Sequence, residues 1–266
     1  MSYYPIPAPG TSPAFVRGRV SLPSRPVSPD QHLRRPVVLT RRYEIRWLDA
    51  RGEAQSTTRL APAVAPFEEA VSAFARGTLI QTEGGLVAVE DLEPGTRLPV
   101  AEGGTETLVW TGSMTVYPSR VLPEVEPVTL TRVTADAFGL GRPMPDLVLG
   151  PRARILLRDP RVRAITGSEA AYAPARAFRD GETAVTVAPM APISVYHIAL
   201  RRQGTIRAAG LEVESYHPGA GFGETIDPQM GGLFLSLFPQ VTSFDDFGPE
   251  AHPRLTFDQT EEMLAS

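Results

Sequence analysis

The segment 72–98, SAFARGTLIQTEGGLVAVEDLEPGTRL, decides the fold. Two short runs, Thr78 to Thr82 and Leu86 to Val89, flank Glu83-Gly84-Gly85, a glycine-containing connection of the length that joins two antiparallel strands. Pro94 and Gly95 then meet the two demands of a type II turn: proline presets φ at the second position, and glycine accepts a positive φ at the third. The segment therefore reads as strand, hairpin, strand, turn, strand.

The same pattern extends in both directions. Upstream, Val37 to Leu60 reads as two strands, with Tyr43-Glu44-Ile45-Arg46-Trp47 alternating and Ala50-Arg51-Gly52-Glu53 turning the chain. Pro62 and Pro66 end that pairing, and Pro66 to Val71 opens a short helix with proline in its first turn and acids at the positive end of its dipole. Downstream, Thr107 to Ser113 and Val128 to Val133 read as strands, Tyr117 to Pro127 as a proline-bearing loop, and Ala135 to Gly141 as a short helical turn stopped by glycine. Ile193 to Gly219 reads as two further strands. Leu79 to Leu98 and Ile155 to Val187 share the order strand, turn, strand, followed by Leu92-x-x-Gly95 in one and Phe178-x-x-Gly181 in the other. That similarity fits a duplicated, pseudo-twofold architecture, with chance as its competitor.

The two ends differ from this middle. Met1 to Pro36 holds eight prolines and little periodicity, so it is expected to be an irregular arm or linker, or a partner-docking arm that uses Tyr3, Tyr4 and Phe15. Asp227 to Phe238 places Met230, Leu233, Phe234, Leu237 and Phe238 on a helical period, which suits a helix packed on the β domain or, alternatively, a membrane-surface or partner helix. Ser243 to Phe247 reads as an N-capped turn and Thr256 to Leu264 as a final acidic helix.

Composition narrows the chemistry. At 266 residues and 42% apolar content the chain can bury a full core. A net charge of -4 without a basic stripe argues against a nucleic-acid binder. The sequence contains no Cys, Lys or Asn, which excludes disulfides, thiolate catalysis, cysteine-ligated metals and asparagine cyclisation. The absence of Lys and Asn also fits a GC-rich coding genome. No signal-peptide pattern occurs and no run reaches the roughly 18 apolar residues of a membrane span, so a cytoplasmic location is expected, with signal-independent export left open.

Phe74, Gly77, Thr78, Ile80, Val89, Glu90, Leu92 and Gly95, followed by Val109-Trp110 and by Asp146-Leu147-x-Leu149-Gly150-Pro151 with Arg154, resemble the Hint family, the autoprocessing module of Hedgehog proteins, inteins and many bacterial proteins. The resemblance spans roughly Ala73 to Gly219. It implies a mainly β, pseudo-twofold Hint domain with short helices and a C-terminal helical extension. The expected organisation is an arm at 1–36, a hairpin and helix at 37–72, the Hint-like domain at 73–219 and a helical extension at 220–266 packed on it.

The resemblance also implies which positions once carried chemistry. The family's nucleophilic cysteine corresponds to Ala73, the histidine that assists the first acyl shift to Ala153, and the closing His-Asn pair to Glu214-Ser215. These read as vestigial. Three other residues are candidates: Ser72 as a relocated nucleophile or an ordinary helix-end or surface serine, Thr78 as a hydroxyl or a packed strand residue, and His197 as a residual acid or base or a structural imidazole. Glu212, Glu214 and His217 form a candidate metal trio, and Gly219-x-Gly221-x-Gly223 lacks the strand-helix context of a phosphate loop. The expectation is a pseudoenzyme, inactive in self-cleavage and splicing, that needs no cofactor and serves as a binding or assembly module for a protein partner. The alternative is a self-cleaving domain with a relocated hydroxyl near Ser72, and a third class is a small-molecule or metal-binding protein that reuses the old cleft.

Overall fold

The computed structural model describes residues 39–118 and 128–265. Contacts divide the chain into 1–37 and 38–266; the proline-rich arm with Tyr3, Tyr4 and Phe15, and most of the Tyr117–Pro127 loop, lie outside the described residues. The second unit begins with strands β1 (Thr40–Leu48) and β2 (Ala54–Pro62) and helix α1 (Ala65–Glu69). The quoted segment supplies β3 (Phe74–Ala75), β4 (Leu79–Thr82), β5 (Gly85–Ala88) and β6 (Arg97–Pro99), and β7 (Thr105–Val116), β8 (Leu130–Val133) and β9 (Leu147–Leu149) follow. Next come β10 (Arg154–Leu157), α2 (Pro160–Thr166), β11 (Ala171–Pro174), β12 (Ala184–Val187), β13 (Ile193–Leu200), β14 (Thr205–Ala208) and β15 (Leu211–Glu214). Helices α3 (Phe222–Thr225), α4 (Pro228–Leu235) and α5 (Phe257–Ala265) complete the chain. The fold is mainly antiparallel β, with short helices.

The strands form two large sheets. One has the order β12-β8-β9-β3-β13-β7-β1-β2, with β6 also on β7, and the other β11-β10-β15-β14-β4-β5. In the second sheet the β14/β15 hairpin is central and the hairpins β4/β5 and β10/β11 flank it, joined at Ala208↔Ile80 and Ile155↔Val213. The similarity between 79–98 and 155–187 has this placement as its spatial counterpart: each copy gives two paired strands, a 3₁₀ turn (Val89–Asp91 and Ala175–Phe178) and a glycine of positive φ (Gly95 and Gly181). The main core draws Phe74, Leu108, Leu149 and Ile198 from the first sheet and Ile80, Ile155, Ile206 and Val213 from the second.

A second core joins the flanking segments to the β domain. Alternation in β1 turns Tyr43 and Ile45 inward and Arg42 and Glu44 outward, because successive strand residues face opposite sides. Those inward residues share a cluster with Phe67 of α1, Trp110 and Met114 of β7, and Phe234, Leu237 and Phe238 around α4. Trp110 stacks on Phe238 with ring centroids 4.4 Å apart and donates its indole N–H to the Leu237 carbonyl at 2.6 Å. The Asp227 side chain caps α4 by accepting from the Gln229 N–H at 2.9 Å, and Pro228 occupies its first turn, where a missing N–H costs nothing. The helix thus packs on the β domain. Among the described residues no helix is long and apolar enough to cross a membrane.

Three sequence expectations need correction. Ala135 to Gly141 is a looped turn, not a helical one: Asp136 takes φ 63° and its carboxylate accepts the Gly141 N–H at 2.6 Å, which turns the chain back. Ile193 to Gly219 holds three strands, since Ala209 (φ 47°) and Gly210 (φ 85°) make a tight reversal between β14 and β15. Ser72, read as a helix-end or surface serine, does follow the end of α1 but is buried, 1% exposed, and not on the surface. The aromatic core yields a paired test by denaturant unfolding. Phe238→Ala is expected to lower stability by about 3–5 kcal/mol, whereas Gly232→Ala, at an exposed helical site with open space around its Cα, should raise it by about 0.5–1 kcal/mol.

Candidate functional site

The fold brings the segments 72–95 and 146–154 together. The turn Gly150–Ala153 lies against the Ser72–Ala73 peptide: the Gly150 N–H donates to the Ala73 carbonyl at 2.8 Å and the Arg152 N–H to the Ser72 carbonyl at 3.2 Å. On the other side the Ala73 N–H donates to the Tyr196 carbonyl at 2.9 Å, where β3 pairs with β13. Both polar groups of the Ser72–Ala73 bond are therefore satisfied by neighbouring backbone. Ala73 and Ala153 are 1% and 2% exposed and belong to the main core, so the two positions implied for nucleophile and histidine present only buried methyl groups.

Gly150 makes this approach possible. A Cβ there would lie 2.1 Å from the Ser72 carbonyl oxygen, well inside contact distance.

The other candidates are each engaged elsewhere. The Ser72 hydroxyl has no imidazole or carboxylate bonded to it among the described residues. Thr78 donates its hydroxyl to the Ala75 carbonyl at 2.8 Å and is buried. The Ser215 hydroxyl accepts the Gly204 N–H at 3.1 Å. His197 sits edge-on to Phe74 and Tyr216, and its Nδ1 accepts the Ile198 N–H at 3.1 Å. Burial, followed by the nearby Arg154 and Arg254 charges, lowers its pKa to about 3, so the ring is neutral. The metal trio is not gathered: Glu212 pairs with Arg158 and Arg207, Glu214 with Arg154 and Arg254, and His217 bonds the Gly248 carbonyl through Nε2 and accepts the Gly219 N–H through Nδ1.

Arg152 and Arg154, on either side of Ala153, belong to a charged network that sequence reading missed. Glu214, 3% exposed, accepts from Arg254 Nε at 2.8 Å, from Gln203 Nε2 at 2.8 Å and from Arg154 Nη1 at 3.3 Å, and is ion-paired with Arg254 Nη2 at 2.7 Å. Arg152 is paired with Glu69 of α1. Arg152 and Arg154 flank Ala153 in the sequence and could have been noticed. Arg254 comes from beyond α4, and nothing local ties it to the site.

Residues 72–220, more than half of the chain, match the Hint domain family profile. The chain belongs to the Hint family. A solution structure of a bacterial intein-like domain from Clostridium thermocellum is similar over 55% of this chain and 99% of that one, with 14% identity and a TM-score of 0.39. No curated protein matches the chain.

Two predictions follow from this Hint-domain site. His197 takes up its proton at about pH 3 when folded against 6.5 when unfolded. The unfolded chain therefore binds more protons between those values, and stability falls as pH drops below 6.5, by on the order of 1.4 kcal/mol per pH unit for one such histidine. His217, also lowered by burial, adds to the slope. Denaturant unfolding between about pH 6.5 and 4.5, above most carboxylate titration, should show this slope reduced by roughly one proton in His197→Gln. Gly150→Ala should cost at least about 2 kcal/mol in the same assay, because the added carbon meets backbone.

Proposed function

We propose that this Hint domain no longer cuts or splices its own chain and acts as a binding or assembly module. The observation that carries the reading is the Ser72–Ala73 peptide bond, hydrogen-bonded through both its carbonyl and the Ala73 N–H and bordered by alanine at the nucleophile and histidine positions. Acyl shift at that bond needs an attacking thiol or hydroxyl, a proton acceptor or donor, and a peptide held away from its relaxed geometry. The first two are absent at their family positions, and the bond lies in ordinary β pairing.

The segment before the bond supports the same reading. Self-cleavage releases what precedes the first residue of the module, yet here β1 pairs with β7 from Glu44↔Ser113 to Trp47↔Trp110, and Phe67 packs on Phe234. A protein whose upstream segment completes its own sheet and core gains nothing from severing it.

Intact mass of the purified protein, with and without hydroxylamine, tests this. One uncut species under both conditions is expected. A fragment ending at Val71 or Ser72 would overturn the proposal and favour a relocated hydroxyl.

A further inference from the structure

A cleft lined by Arg152, Arg154, Arg254, Glu69, Glu214 and His217 among others has a volume of about 50 Å³. A water needs about 10–15 Å³ of such space, so the cleft takes a few waters or one small polyatomic ion and nothing larger. Its hydrogen-bond inventory is unbalanced. Arg254 is fully engaged, with Glu214, with the His217 carbonyl at 2.7 Å and with Glu250 at 3.2 Å. Each guanidinium carries five N–H donors, but Arg154 uses only Nη1, at 3.3 Å, and its buried Nε has no partner. Arg152 is engaged only through Nη2, with Glu69. The acceptors that face the cleft are already taken, since Glu214 receives Arg254, Gln203 and Arg154 together.

We propose that this cleft binds a small oxyanion, a carboxylate or a phosphate, between the guanidiniums of Arg152 and Arg154. The inference deepens the reading above and rests on a cleft freed from cutting. Buried polar groups without partners are costly, and guanidiniums recognise carboxylate and phosphate oxygens through paired N–H bonds. The lining carries three arginines against two glutamates, with Glu250 behind Arg254 as a third acid. The positive field is local to the Arg152 side, where Arg176 and Arg154 stand close. Burial and then Arg176 and Arg154 lower Arg152 to about 10, and Arg154 and Arg254 add to the burial that keeps His197 neutral. An anion between Arg152 and Arg154 relieves that repulsion and meets guanidinium N–H groups that their existing partners leave over. Carboxylate and phosphate share the required oxygens, so the occupant's source is left to the measurement.

Calorimetric titration of the full chain with inorganic phosphate, with acetate and with chloride tests the proposal. Saturable one-to-one binding of phosphate or acetate is expected, and whichever binds names the source. Arg154→Gln should weaken it about tenfold or more, the loss of roughly one charge-assisted bond. Glu69→Gln, which removes a competing carboxylate from Arg152, should tighten it and serves if Arg154→Gln fails to fold. Arg163→Gln, a surface arginine paired with Glu169, should leave it unchanged. No saturable heat up to roughly 20 mM, a range that would detect even millimolar affinity, overturns the proposal, as does equal binding of chloride or equal weakening by Arg163→Gln. Intact mass of the same sample scores cutting by itself, so failure of one reading is told apart from failure of the other.

Discussion

The Ser72–Ala73 peptide is pinned from two sides, by the Tyr196 carbonyl below its N–H and the Arg152 N–H above its carbonyl. Much else depends on this. The pairing sets the start of β3, which bridges β13 and β9 within the first sheet, and it requires the close passage of Gly150. With Gly150 in place the second family block settles directly on the first, and the methyl groups of Ala73 and Ala153 join the main core. A bond in this setting has both its polar groups paired, as a strand peptide does.

Around that anchor the chain has two cores with different memberships. The main one belongs to the two sheets and comes almost wholly from within the Hint segment. The other is assembled from the upstream hairpin, α1, the outer side of β7 and the aromatic residues near α4. Trp110 is the hinge of this arrangement, a β7 residue whose ring stacks on Phe238 and whose N–H is satisfied by Leu237. Arg254 completes the link by reaching from the downstream segment into the cleft to hold Glu214, a buried acid whose charge Arg154 also meets.

Legibility in the sequence followed the range of the interactions. The hairpin around Gly84-Gly85, the turn at Pro94-Gly95 and the capping box of Ser243 and Asp246 are set by neighbours a few residues apart, and all were readable. The apolar period of 227–238 likewise announced α4. Strand β14 was lost because its reversal uses Ala209 at positive φ, a conformation for which alanine is no signal. The charged cleft was the least readable part: Glu69, Arg154, Glu214 and Arg254 meet only after the whole domain has closed, and their spacing along the chain says nothing of it. The burial of Ser72 was hidden for the same reason, since Gly150 creates its surroundings from 78 positions away.

The indole bond of Trp110 has a kinetic consequence. Its acceptor, Leu237, lies 127 residues further along the chain, and translation at about 5–20 residues per second separates the two by on the order of ten seconds. Throughout that interval the nascent β7 carries an aromatic surface whose cover, Leu237 and Phe238, has not yet been made.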